Sequence, residues 1–242
     1  MSPEEVSANI EYFAVSRRGP RTPACTALVL SGVSDPSSFE ALVGTARAQG
    51  IERITLHCGV HRSIAASALA ASCDAVVVSV RDPEDAAAVP SDAHAVVLLE
   101  DPTALEGIAQ ALVASGAARV TLTWPFPGGE VPPSAADIAP AARAAIEILD
   151  AGGISAGVKG LPLCALAPGP HAGRWTDRVW RSPNRWYVDA EHQLGDALAF
   201  FPEVVRFSKP DGCRFCTANR RCDGVAENWI RLGIAGSLTP IP

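Results

Sequence analysis

Seven cysteines occur in this 242-residue chain, and three of them, Cys213, Cys216 and Cys222, form a C-x2-C-x5-C spacing. Two thiolates separated by two residues reach one metal from a single tight turn. A third, five residues on, returns from the next turn. Three thiolates leave a tetrahedral zinc or iron site one ligand short. The candidate fourth ligand is Cys164, in Gly160-Leu161-Pro162-Leu163-Cys164. If it closes the site, residues 165–212 form a loop tied at both ends to one centre. Free cysteines or a disulfide are the alternatives. A reducing compartment disfavours the disulfide and makes a metal the leading expectation.

The compartment is inferred from the rest of the chain. The start, Met1-Ser2-Pro3-Glu4-Glu5, shows no apolar leader region, and no apolar run reaches membrane-spanning length, so a cytoplasmic protein without a membrane partner is expected. A net charge of -6 argues against nucleic acid as a partner. Hydrophobic residues make up 48% of the chain, enough for one substantial core. Charge is uneven: residues 1–158 carry nine Lys and Arg against eighteen Asp and Glu, and residues 159–242 carry eleven against eight. Arg214, Arg220 and Arg221 flank the cysteines and would offset the negative charge of a thiolate-ligated centre.

Short β-branched runs alternate with helical stretches along the first two thirds of the chain. Strands are expected at Ile10–Val15, Ala27–Leu30, Ile54–His57, Ala75–Val80, Ala95–Leu99, Arg119–Thr123 and Gly157–Lys159. Helices are expected at Phe39–Gln49, Ser63–Ser72, Pro83–Val89, Thr103–Ser115 and Ala136–Ala151, with glycine stops at Gly50, Gly116 and Gly152. This alternation makes βαβ units and a parallel sheet, its strands buried on both faces. No G-x-G-x-x-G follows any strand, which lowers a dinucleotide-binding reading.

In such folds the pocket lies beyond the C-terminal strand ends. That places Cys58, His61, Asp82 and Glu100 as candidate catalytic residues, beside His57, Arg81, Asp101, Trp124, Phe126 and Lys159. Polar strand ends also meet water for no functional reason, and no nucleophile–base pair is legible among them. Cys25 and Cys73 read as small buried hydrophobes. After Cys164 the periodicity ends. A basic, Trp-rich stretch, Arg174–Trp186, is a candidate docking surface. A short strand within Asn184–Ala190 and a short helix within Asp223–Gly233 carrying Trp229 are the remaining expected elements. A metal centre would help fold so aperiodic a segment.

The βα series, the Gly-Leu-Pro-Leu-Cys164 element, and Cys213-x2-Cys216-x5-Cys222 followed by Asp223-Gly224-Val225 resemble radical SAM proteins with a C-terminal auxiliary cluster domain of the SPASM/twitch type. The resemblance runs over Ala27 to Pro242 and is strongest at the C-terminal cysteines. It implies an α/β fold: a partial (β/α)6 barrel of parallel strands over residues 1–160 and a small cysteine-rich appendage over residues 161–242. It also implies an auxiliary [4Fe-4S] cluster on Cys164, Cys213, Cys216 and Cys222. The chain departs from the family in three places. The C-x3-C-x2-C loop that mounts the S-adenosylmethionine-cleaving cluster is absent. Ser31-Gly32-Val33-Ser34-Asp35-Pro36 stands where the family has Gly-Gly-Glu-Pro. Ala226 stands where a SPASM pattern would place its next cysteine. One cluster at most is therefore expected, with neither binding nor cleavage of S-adenosylmethionine.

The resulting expectation is a degenerate radical-SAM-like iron–sulfur protein, accessory to an active radical SAM enzyme, relaying electrons or presenting a peptide or small-molecule substrate. The alternatives are a zinc-stapled binding module, since four thiolates suit zinc as well as iron, or an enzyme with other chemistry at the barrel mouth.

Overall fold

A computed structural model describes residue 8 and residues 27–31, 36–59, 73–125, 131–167, 185–189, 207–235 and 238–241, with backbone alone at 36–38 and 185–189. The strand expected at Ile10–Val15 and the helix expected at Ser63–Ser72 lie outside the described residues. So do Cys25, His61, Phe126 and nearly all of Arg174–Trp186. The chain forms two compact units, each drawing on both sides of residue 160: Met1–Ser79 with Trp180–Pro202, and Val80–Val179 with Glu203–Pro242.

The first unit holds β1 (Ala27–Ser31), α1 (Pro36–Ala48), β2 (Arg53–Gly59) and most of β3 (Ala75–Val80). β1 pairs in parallel with β2, and β2 with β3. On its other edge β1 pairs in parallel with a later strand, Arg185–Asp189. α1 stops at Gly50, whose φ of 85° lets the Ile51 amide turn back to the Ala46 carbonyl. The Asp74 carboxylate accepts from the Ile54 amide at 2.6 Å and from Arg47 Nη2 at 2.8 Å, tying the start of β3 to β2 and α1. These two partners hold its carboxyl below the usual carboxylate range.

The second unit continues the same alternation. It runs α2 (Pro83–Ala87), β4 (His94–Leu98), α3 (Leu105–Ser115), β5 (Arg119–Thr123), α4 (Ala135–Ala151) and β6 (Ala156–Lys159). β4, β5 and β6 pair in parallel, so the architecture of each unit is parallel α/β. Asp82 and Ser134 cap α2 and α4 by accepting from the amides of Asp85 and Asp137. Burial alternates in β4: Ala95 and Val97 are sealed, whereas His94, Val96 and Leu98 are half-buried. The expected burial of both faces thus holds in β5 but not in β4, whose second face carries the His94 ring bonded to Thr121 Oγ1 at 2.7 Å. α4 contains Pro140, which has no amide to give the Ala136 carbonyl.

Beyond β6 the chain folds as short pieces. A 3-10 turn spans Leu163–Leu166 and packs on α4. With the strand Arg185–Asp189 taken as β7, an antiparallel ribbon joins β8 (Phe207–Ser208) to β9 (Val225–Ala226). A second 3-10 turn covers Asp211–Phe215, and α5 is Glu227–Arg231. Trp229 anchors this segment. It is 3% exposed, its Nε1 donates to the Pro125 carbonyl at 3.0 Å, and its ring lies 6.2 Å from that of Trp124. Among the described residues no helix is long and apolar enough to cross a membrane.

Candidate metal centre

Tight local turns present the three C-terminal cysteines. The Cys216 amide returns to the Cys213 carbonyl at 3.1 Å, and the Cys222 amide to the Ala218 carbonyl at 2.9 Å. Cys164 arrives from the other side, on the 3-10 turn opened by Pro162 and buried through Leu163 and Leu166. One cavity is lined by Cys164, Cys213, Cys216 and Cys222 together, with Lys209 in the same wall. The interior void is about 20 Å³, roughly the room of one water.

The thiols also feel one another. Cys164 is pushed up to about 11, by burial first and then by the charges of Cys222, Cys213 and Cys216. Cys213 is raised by burial, then by Cys222 and Cys216, against a smaller opposing pull from the Lys209 ammonium. Cys164 and Cys213 therefore resist ionising until a cation joins them. Two backbone amides already address the sulfurs: Gly224 N–H donates to Cys222 Sγ and Ile241 N–H to Cys216 Sγ, each at 3.4 Å. Donors of this kind stabilise thiolate and tune a thiolate-bound metal. Among the described residues no group of three or more His, Cys, Asp or Glu is gathered tightly enough to hold a metal ion as it stands. What groups the four sulfurs is the one cavity that they line together.

Sequence reasoning found the cysteines but missed three of their neighbours. Lys209, rather than Arg214, Arg220 or Arg221, is the cation in the cavity wall, and its Nζ is held on the Asn219 carbonyl at 2.6 Å. Arg214 instead lies over the Phe215 ring, 4.6 Å from its centroid. Lys209 opens the Lys-Pro-Asp-Gly-Cys213 stretch, so its proximity was legible there. The Gly224 and Ile241 amides had no sequence signal beyond the glycine itself.

Of the candidate catalytic groups, Cys58, Asp82 and Glu100 fall among the described residues. Cys58 is buried, and burial first, then Cys73, pushes its thiol up to about 11. Cys73 is only half-buried, more open than expected of a core residue. Asp82 serves as the α2 cap, and Glu100 faces Arg81 with 3.7 Å between Oε2 and Nε. His57 Nε2 lies 2.8 Å from Ser79 Oγ. Asp101 accepts from the Thr103 hydroxyl and amide, which hold its carboxyl low. Thr123 Oγ1, which sequence reasoning passed over, is buried with no hydrogen-bond partner among the described residues.

No family model and no curated protein matches this chain. Among solved structures, dihydrodipicolinate synthase from Rhodopseudomonas palustris aligns over 65% of this chain and 57% of its own, at 12% identity and a TM-score of 0.35. The chain thus spans little more than half the length of that protein.

Proposed function

We propose that this protein holds one [4Fe-4S] cluster on Cys164, Cys213, Cys216 and Cys222 and acts as an accessory partner of an active radical SAM enzyme. One observation carries the reading: four thiols from two distant stretches line a single cavity. The donor set fits the group, being all thiol, with two amide donors aimed at sulfur and one ammonium beside it. A parallel α/β core is in keeping with a partial (β/α)6 barrel, the fold that the radical SAM resemblance implies.

When bound, such a cluster supplies one-electron transfer. The chain's own part is to hold and shield it. Leu163 and Ala218, both buried, line the cavity beside the cysteines. Lys209 offsets part of the thiolate charge, and the Gly224 and Ile241 amides offset more. A second reading, a zinc-stapled binding module, is favoured by the size of the void, about 20 Å³, which suits a single atom.

Anaerobic purification separates the two. Iron with acid-labile sulfide, both lost in Cys216→Ala, supports the cluster; zinc without sulfide makes the binding module the correct reading. Under reducing conditions the isolated chain should form no 5′-deoxyadenosine from S-adenosylmethionine. The accessory role requires that the wild-type chain stimulate a radical SAM enzyme and that Cys216→Ala fail to do so.

A further inference from the structure

We infer that a second cavity, between α4 and Ala235, Leu238 and Thr239, binds a small carboxylate with a short apolar body, anchored by Arg143. The cavity measures about 180 Å³, below the ~300 Å³ at which drug-sized ligand pockets begin. Ala135, Ala139 and Leu238 form an apolar part of its wall, Thr239 and Cys164 add a hydroxyl and a thiol, and Arg143 is the charged group among the described residues that line it. The Arg143 side chain is half-buried. Its Nη1 donates to the Ala165 carbonyl at 2.9 Å, and no carboxylate among the described residues pairs with it. A guanidinium has five N–H donors in a planar fork, so four remain for a ligand. A carboxylate matches that fork with two parallel bonds.

The walls define the rest of the ligand. Apolar side chains opposite one fixed charge orient a molecule with an anionic head and a hydrocarbon body. Inorganic phosphate presents acceptors on every side, more than Arg143 and the Thr239 hydroxyl can meet, and would leave the alanine and leucine walls without a partner. Among the described residues no acidic side chain lines the cavity, so an ammonium group would find no opposite charge there. Cys164 borders this cavity as well as the cysteine-lined one, and Ala165, which receives the Arg143 bond, is the next residue. A bound carboxylate would therefore lie beside the turn that presents Cys164. The inference does not depend on which metal, if any, that cysteine holds.

The test is calorimetric titration of the full chain with butyrate and, separately, with inorganic phosphate. Butyrate should bind saturably and at least about tenfold more tightly than phosphate. Arg143→Gln should weaken butyrate about tenfold or more, the loss of a charged, paired hydrogen bond. Because Arg143 also holds Ala165, a second variant guards against a merely structural effect. Ala136 lies on the exposed rim of the cavity; Ala136→Phe should block butyrate while leaving the thermal midpoint and metal content unchanged. Absence of saturable butyrate binding, equal affinity for phosphate, or full butyrate affinity in Ala136→Phe would overturn the inference.

Discussion

Gly224 shows how one residue serves the candidate centre. Its φ is +90°, and a Cβ there would meet the Ser208 carbonyl oxygen at 2.2 Å. Only glycine lets the chain pass that close and aim its amide at Cys222 Sγ. Gly224→Ala should cost about 2 kcal/mol or more, lowering the thermal midpoint by roughly 4–8 °C in a chain of this size. An unchanged midpoint would mean that β8 does not pack against this turn. Cys58 supplies a test by pH. Its thiol is raised from 9.0 to about 11 in the folded chain. Between those values the unfolded chain has lost the proton that the folded chain keeps, so stability falls as pH rises. The contribution is fully present below pH 9 and lost by about pH 11, on the order of 2–3 kcal/mol. Urea titrations across that range should show the loss in wild type and a smaller one in Cys58→Ala. The cysteines were legible in the sequence because their spacing is local. The amides that address them were not, because a positive φ at Gly224 and the approach of Ile241 are set by tertiary contacts.

At the scale of elements, the helix stops divide in an instructive way. Gly50 and Gly116 take positive φ, 85° and 71°, as glycine stops should. Gly152 does not: its φ is −79°, and the left-handed residue is Gly153 at 76°. Gly152 is small for another reason, since a Cβ there would meet Val113 Cγ2 at 2.5 Å. It lets the end of α4 approach α3. Gly152→Ala should therefore overpack that contact at a cost of about 1–3 kcal/mol, read as a lower urea midpoint; rescue by Val113→Ala would identify the contact. The periodic elements were legible to within one or two residues at β3, β5, β6 and α4, because strand and helix periods are intrinsic to the sequence. The edge strand Arg185–Asp189 was legible as a strand. Its parallel pairing with β1, some 150 residues earlier, was not, since nothing local encodes a partner so remote.

At the scale of the molecule, the chain brings Cys164 back to Cys213, Cys216 and Cys222 within one of its two compact units. The sequence offered that closure only as a candidate, because spacing fixes which cysteines share a turn and not which distant turn completes the set. A metal closing the four thiols would give the aperiodic C-terminal segment a second fastening besides Trp229. Its most direct test is an anomalous difference map from crystals of the anaerobically purified full chain, with data collected at the iron and zinc edges. The prediction is iron density bonded to all four sulfurs, Cys164, Cys213, Cys216 and Cys222. Density on the three C-terminal cysteines with Cys164 turned away, or no metal among the four, would contradict it.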